Sequence, residues 1–392
     1  MKRVVHMVLV ATDTEQEVLK RYGDASQMRE EALCCPVDYD TRYLEVIPEE
    51  IIERDYGCGD PSQFIQPGET VLDLGSGGGK ICYIISQIVG AEGKVTGIDF
   101  NPPMLALAEK YRGQIAESIG WDNVSFKRGK IQDLKTDIDA VEAYLAEHPV
   151  QSYADFQAFE NFRRNQAAQA PLIADNSVDV IVSNCVLNLV AAEDKAALFG
   201  EMFRVLKVGG RVAISDIVSD EPVPQHLRDD PELWSGCVSG AFQERDFLRA
   251  FEAAGFHGIA IAKRDAEPWQ TVEGIEFRSV TVTAYKGKQG PCLERNQAVI
   301  YGGPWSKVED DDGHVFERGV PVAVCDKTFR LLTSQPYEAQ VYPVPPLVEI
   351  PLAEAGVFDC MRSVRRDPGE TKGTEYNLTA DGVNACGPGD CC

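Results

Sequence analysis

Twelve cysteines lie in this chain of 392 residues, and four of their settings combine residue types and spacing that can do chemistry. Cys34 and Cys35 are adjacent, ahead of a proline, and Cys58 stands between Gly57 and Gly59. Cys185 follows an apolar run within Ser183-Asn184-Cys185-Val186-Leu187-Asn188-Leu189, and Cys237 falls in Trp234-Ser235-Gly236-Cys237-Val238-Ser239-Gly240-Ala241. A cysteine between glycines in a loop makes a poor core filler. A cysteine that ends a buried strand between asparagines is placed to face a ligand. Thiolates select soft ions, which points to metal, metalloid or redox chemistry over a disulfide framework. The spacing of structural zinc sites, two matched C-x-x-C pairs, is absent from the sequence. The five histidines, His6, His148, His226, His257 and His314, are neither spaced as ligands nor set beside a cysteine as a base. Cys82 falls in a helical stretch and reads as packing, whereas Cys292, Cys325 and Cys360 have no readable partner.

A second constellation precedes the strand of Cys185. Val71-Leu72-Asp73-Leu74-Gly75-Ser76-Gly77-Gly78-Gly79 is an apolar strand running into a glycine-rich turn that opens a helix. Glycines let a ligand approach the backbone, and a helix start offers unpaired N–H groups. The next strand ends Gly97-Ile98-Asp99-Phe100, which sets a carboxylate where a ribose diol would lie. Asn101-Pro102-Pro103-Met104 then starts a helix that can lay Met104 against an adenine ring, and the following turn, Arg128-Gly129-Lys130-Ile131-Gln132-Asp133, brings Ile131 with either Gln132 or Asp133.

The elements that must position these groups alternate. Strands are predicted at 70–74, 94–99, 124–127, 178–183 and 211–216, with helices at about 80–89, 103–119 and 192–206 between them. That rhythm makes a parallel sheet covered on both faces. Residues 134–173 interrupt it with two polar helices near 136–147 and 154–168, read either as a lid or as a plain spacer. Further strands are expected at 258–263 and 277–286, and short β runs at 298–301, 320–325 and 328–332 after the texture turns Pro- and Gly-rich. Residues 15–22 carry Glu15, Val18, Leu19 and Tyr22 at helical spacing, and a helical stretch spans about 48–54. The expected organisation is a helical lead with cysteine loops (1–60), a cofactor domain (61–243), a region that completes the thiol site (244–288) and a C-terminal extension (289–392) with a cysteine-rich tail.

Composition narrows the partners. A net charge of −24 argues against nucleic acid and anionic membrane surfaces and leaves a small-molecule substrate. No apolar run approaches the roughly 18–20 residues of a membrane span. The N-terminal stretch lacks the apolar core and cleavage site of a signal peptide, so a cytoplasmic protein is expected.

The V-L-D-L-G-x-G-x-G strand and turn, with Asp99 and the helix–turn–strand Arg204-Val205-Leu206-Lys207-Val208-Gly209-Gly210, resemble class I methyltransferases; Val208 stands where that superfamily usually has proline. With the four cysteine settings and Tyr56-Gly57-Cys58-Gly59, residues 18–285 resemble the arsenite S-adenosylmethionine methyltransferases more specifically. The resemblance implies a Rossmann-like class I methyltransferase sheet with helices on both faces, to which the texture after 288 adds a small α+β or mostly β unit. It implies S-adenosylmethionine bound by Tyr56, Asp73, Gly75, Ser76, Gly77, Gly79, Asp99, Phe100, Met104, Ile131, Gln132 and Asn184. Tyr56 reads equally as ordinary packing. It also implies that Cys185 and Cys237 grip trivalent arsenic, with Cys58 as third ligand and one of Cys34 or Cys35 as an exchanging thiol. Glutathione or thioredoxin would be the thiol reductant. Arsenic fits this ligand set on its own chemistry, because the trivalent ion is soft, takes three thiolates in a pyramid and keeps a nucleophilic lone pair. Another soft or organic acceptor (a thiol, selenium or mercury compound) and a non-catalytic metalloid-binding protein are the alternatives. The terminal Cys391-Cys392 pair resembles the vicinal cysteines with which mercuric reductases hand on a soft metal; otherwise it is a free end.

Overall fold

The computed structural model describes residues 15–30, 37–360 and 365–372. Cys34, Cys35 and the cysteines of the tail lie outside these residues. The chain divides into two compact units, Met1–Lys286 and Gly287–Cys392.

The first unit is built on one sheet. Its strands are β1 (Thr70–Leu74), β2 (Lys94–Asp99), β3 (Val124–Arg128), β4 (Val178–Asn184), β5 (Leu206–Ser219), β6 (Phe242–Gln243), β7 (His257–Arg264), β8 (Gln270–Val272) and β9 (Ile275–Tyr285). The spatial order is β3-β2-β1-β4-β5-β9-β7, with β6 added to β5 and β8 to β9. β1 to β5 pair in parallel, while β9 runs antiparallel to both β5 and β7. Residues 244–288 therefore supply two long strands to this same sheet.

Side-chain alternation along the strands makes two cores. Val71, Val180, Val182 and Ala213 face one side with α1 (Lys80–Val89) and α2 (Pro102–Ile119). Leu72, Leu74, Ile181 and Ile214 face the other. There they meet Leu198, Phe199 and Met202, from the helix Lys195–Val205, and Phe247 and Phe251, from Glu244–Ala253. Phe251 packs edge-on to Phe199 with ring centroids 4.8 Å apart, a geometry that adds to simple area burial. The strand order reverses between β1, which has β2 on one edge, and β4 on its other edge, which opens a crevice at the carboxyl ends of the parallel strands, where such sheets hold ligands. The 134–173 stretch forms the helices Ile138–Glu147 and Tyr153–Gln169, which carry no buried residue and join through Tyr144 stacked on Phe162 at 4.2 Å.

Two expectations are corrected. Gly209-Gly210 is not the turn of the expected helix–turn–strand, because the helix already ends at Val205 and β5 starts at Leu206. Gly209 instead holds φ +86° within the strand, and a Cβ on Gly210 would come within 2.7 Å of the Asp179 carbonyl oxygen. The pair thus lets β5 run close beside β4. The run 328–332, expected as a short β run, is helical, part of Asp326–Leu332, because the Cys325 side chain caps it by accepting from the Thr328 N–H. The second unit otherwise holds three small sheets, β10–β16 (Leu293–Glu294 with Gly356–Val357), β14–β11–β15 (Pro321–Ala323, Ala298–Tyr301, Val341–Val344) and β12–β13 (Lys307–Glu309 with Val315–Glu317). Among the described residues no helix is long and apolar enough to cross a membrane.

Candidate active site

The glycine turn after β1 folds tightly because its first amides turn back on the neighbouring strand: the Gly75 and Ser76 N–H groups donate to the Ile98 carbonyl at 2.8 and 2.9 Å. Gly75 has φ +73°, and a Cβ there would lie 2.5 Å from Val186, so only glycine fits. Asp99 closes the other side of the turn. Its carboxylate accepts from the Gly77 N–H at 2.9 Å and the Asn101 N–H at 2.8 Å. Burial still raises its pKa above the ordinary carboxylate range. Together with Asp73, Ser76, Phe100, Met104, Ile131, Gln132, Tyr56 and Asn184, these residues line one cleft. Gly79, with φ +84° at the start of α1, does not line it; a Cβ there would meet Phe126 at 2.8 Å, so its glycine serves packing. Asp133 turns to its own loop, accepting from the Lys135 and Thr136 N–H groups.

Asp73 sits at the cleft floor and is 2% exposed. Burial pushes its pKa up to about 7, opposed by the Cys82 thiol, which donates to it at 3.2 Å. Cys82 is thus a hydrogen-bonding support beneath the cleft as well as a packing residue.

The thiols gather at the end of β4. Cys58, Cys185 and Cys237 belong to one buried cluster with Ile217, Val238 and Phe277. Cys185 and Cys237 both hold left-handed backbones, φ +58° and +62°, a conformation that costs a residue with a side chain about 1–2 kcal/mol. Such strain persists where surrounding structure imposes it, often at functional sites. Here the Cys185 N–H is tied to the Ser215 carbonyl at 2.9 Å, and the Cys237 thiol donates to the Cys185 carbonyl at 3.1 Å. Cys58 and Cys185 are joined as a disulfide with Cα atoms 5.8 Å apart, where three thiolates were expected. Both sulfurs become available as ligands only after that bond is reduced.

Asn184 clamps the loop that carries Cys58. Asn184 Oδ1 accepts from the Cys58 N–H at 2.8 Å and the Gly59 N–H at 3.0 Å, while Nδ2 donates to the Gly59 carbonyl at 2.6 Å. The glycines permit this contact: a Cβ on Gly57 would lie 2.2 Å from Asn184 Nδ2, and one on Gly59 2.5 Å from Ser215 Oγ. Ser279 Oγ on β9 donates to the Cys58 carbonyl at 2.7 Å, so the antiparallel strand takes part too.

Sequence reasoning missed three supports. Tyr22, which reads only as a helix-face residue, lines the cleft and places its hydroxyl 3.6 Å from the Cys237 Sγ. Burial, then the neighbouring Cys237, holds its pKa well above 10. Asn188, fully buried, donates to the Ile217 carbonyl at 2.7 Å and the Cys237 carbonyl at 3.3 Å. Asp216 accepts from the Leu187 and Ile217 N–H groups, both at 2.8 Å, and fixes the turn after Cys185; burial pushes its pKa up to about 6. The Ser-Asn-Cys-Val-Leu-Asn-Leu string held the signal for Asn188, whereas Tyr22 and Asp216 meet the site from distant segments.

A methyltransferase-domain family profile matches residues 65–144 and 151–255, and a domain family of unknown function matches 288–376. The arsenite methyltransferase of Aquipseudomonas alcaligenes is 33% identical over 74% of this chain and 77% of its own length. The human arsenite methyltransferase is 30% identical over 85% and 82%. Among solved structures, the arsenic(III) S-adenosylmethionine methyltransferase of Chlamydomonas reinhardtii is 26% identical, with a TM-score of 0.52 over 83% of this chain and all of that one. The cleft beside a thiol cluster therefore belongs to an S-adenosylmethionine-dependent methyltransferase, and the chain is a member of the arsenite methyltransferase family.

Proposed function

We propose that this chain transfers methyl groups from S-adenosylmethionine to trivalent arsenic held by Cys58, Cys185 and Cys237. The observation that carries the reading is the meeting of these three cysteines in one buried cluster against the glycine cleft. The cleft suits the cofactor. Among the described residues Ser76 Oγ is buried there without a hydrogen-bond partner, and a Cβ on Gly75 would close the turn against Val186. Asp99 would accept the ribose hydroxyls, Met104, Phe100 and Ile131 with Gln132 would surround the adenine, and Tyr56, Asp73 and the glycine turn would enclose the remainder. When bound, the cofactor supplies an electrophilic methyl group on a sulfonium sulfur.

The chain's own residues first need reducing. Two electrons and two protons from a thiol reductant, glutathione or thioredoxin, open the Cys58–Cys185 bond to two thiols, and the reductant leaves as its own disulfide. Arsenous acid then exchanges three hydroxyls for three thiolates and releases three waters. The lone pair on the open face of the arsenic pyramid is the nucleophile, so the protein's task is orientation and not proton transfer. Asn184 sets Cys58, the Asp216 turn sets Cys185, and Tyr22 with Asn188 sets Cys237. One of Cys34 or Cys35 serves as the thiol that exchanges with Cys58. A reducing cytoplasm is the matching compartment. The test is product analysis after incubation with labelled methyl donor, a thiol and arsenite: labelled methylarsenicals are expected. Label passing to the thiol instead, with none on arsenic, would reject the assignment.

A further inference from the structure

The C-terminal unit, matched by a domain family of unknown function, contains a second gathering of sulfur. Cys292, Cys325 and Cys360 offer Sγ atoms that all lie within 4.8 Å of one another. Three separate segments bring them there. The pairing of Leu293–Glu294 with Gly356–Val357, extended by the Phe358 N–H donating to the Cys292 carbonyl at 2.9 Å, sets Cys292 beside the 358–360 turn. Cys325 follows the strand Pro321–Ala323 and caps the next helix, and its Val324 neighbour donates to the Gln297 carbonyl at 3.3 Å. The frame is firm: the buried Asp326 carboxylate pairs with Arg295 at 2.8 Å and Arg330 at 2.9 Å.

We propose that Cys292, Cys325 and Cys360 form a second thiolate site, outside the methyl-transfer machinery, that binds trivalent arsenic as a three-sulfur pyramid. The donor count decides the ion class. Among the described residues no histidine, carboxylate or fourth cysteine joins this group within the same distance, which suits a three-coordinate soft ion better than tetrahedral zinc. Cys325 is buried, whereas Cys292 and Cys360 are partly open, so an ion can enter through the outer pair and lodge on the inner sulfur. The sulfurs are prepared for ligation: Cys325 accepts from the Thr328 N–H at 3.4 Å, the kind of backbone contact that supports a bound thiolate. Binding breaks three arsenic–oxygen bonds and forms three arsenic–sulfur bonds. The three thiol protons leave with the hydroxyls as water, and no electrons are transferred.

The test uses the full chain, reduced, loaded with arsenite alone and desalted, with arsenic and zinc counted by mass spectrometry. Cys292→Ser, Cys325→Ser and Cys360→Ser should each lose about one equivalent of arsenic per chain against the parent. In a background with Cys58, Cys185 and Cys237 all changed to Ser, X-ray absorption should still report arsenic bound by three sulfurs, lost on adding Cys360→Ala. Cys292→Ala and Cys360→Ala, at the partly open positions, guard against misfolding of the Cys325 variant. Undiminished arsenic in all of these variants would overturn the proposal, as would a stoichiometric zinc ion that arsenite does not displace. Methylation is a separate readout, so failure of this site and failure of the catalytic assignment are distinguishable.

Discussion

Asn184→Ala removes the side chain that binds the Cys58 loop to the end of β4. The Cys58 and Gly59 N–H groups, both at buried residues, lose their acceptor, and the Gly59 carbonyl loses one donor while keeping the Tyr39 hydroxyl. Leaving a buried donor unpaired costs about 1–3 kcal/mol. Two such groups would cost roughly 2–6 kcal/mol if the loop stayed in place. The loop can escape part of that by lifting into water, so undocking by about 2–4 kcal/mol is the expected result. With the Cys58–Cys185 bond closed the loop stays tethered, and the defect should emerge in full only under reductant. Loss of a docked Cys58 removes the third arsenic ligand. On the conversion of about 1.4 kcal/mol per tenfold, kcat/KM for arsenite should then fall at least about tenfold. A trivalent arsenical that already carries one methyl group needs two protein thiolates and should be spared. Asn184→Asp keeps an acceptor for both N–H groups but cannot donate to Gly59, and should fall between. Initial rates on the two substrates, with S-adenosylmethionine affinity by calorimetry, separate the roles. Normal arsenite kinetics, or a tenfold loss of cofactor affinity with the arsenite defect absent, would refute the loop-docking role.

Three further outcomes follow from the same geometry. Asp99→Ala strips the acceptor from the Gly77 and Asn101 amides and from the ribose; S-adenosylmethionine affinity should drop by about tenfold to a hundredfold, and unaltered calorimetric binding would remove Asp99 from the cofactor site. Cys58→Ser, Cys185→Ser and Cys237→Ser should each abolish methylation of arsenite, Cys58→Ser alone retaining activity on the monomethylated substrate, while Cys82→Ser, whose hydroxyl can still donate to Asp73, behaves as the parent; three fully active triad variants would dismiss the thiolate cage. Asp73 and Asp216 are pushed up by burial to about 7 and about 6, so they hold protons more tightly folded than unfolded. Their contribution to stability is complete below the unfolded value of about 4 and is lost as pH rises through about 6 to about 7. Asp73→Asn should flatten that decline in urea titrations across the same window, and an unchanged slope would show that Asp73 does not titrate there.

Much of the sheet is legible because its strands are apolar runs between glycine turns and amphipathic helices. Strands predicted at 70–74 and 94–99 are Thr70–Leu74 and Lys94–Asp99 in the structure. The reading fails where local signals oppose tertiary context. Gly209-Gly210 reads as punctuation, yet β5 extends through it because close approach to β4 needs the missing Cβ. At the site, cysteine settings are readable because glycine or asparagine neighbours have no business around a core filler. The Asn184 clamp on residues 58–59 and the Tyr22 contact with Cys237 join segments more than a hundred positions apart, which no periodicity reports. The cluster of Cys292, Cys325 and Cys360 is hidden for the same reason, since irregular chain between short strands creates it.

The left-handed backbones of Cys185 and Cys237 bear on how this fold tolerates mutation. Glycine at either position would relieve about 1–2 kcal/mol of backbone strain and forfeit roughly 1 kcal/mol of buried thiol. With the Cys58–Cys185 bond reduced, such an exchange is near neutral to the folding equilibrium, although it removes the sulfur on which the proposed chemistry depends. A library screened for abundance or solubility would therefore retain glycine at both positions and drift toward well-behaved, inert protein. Variant maps that score expression alone will pass over this site, and only selection on survival in arsenite would keep its cysteines.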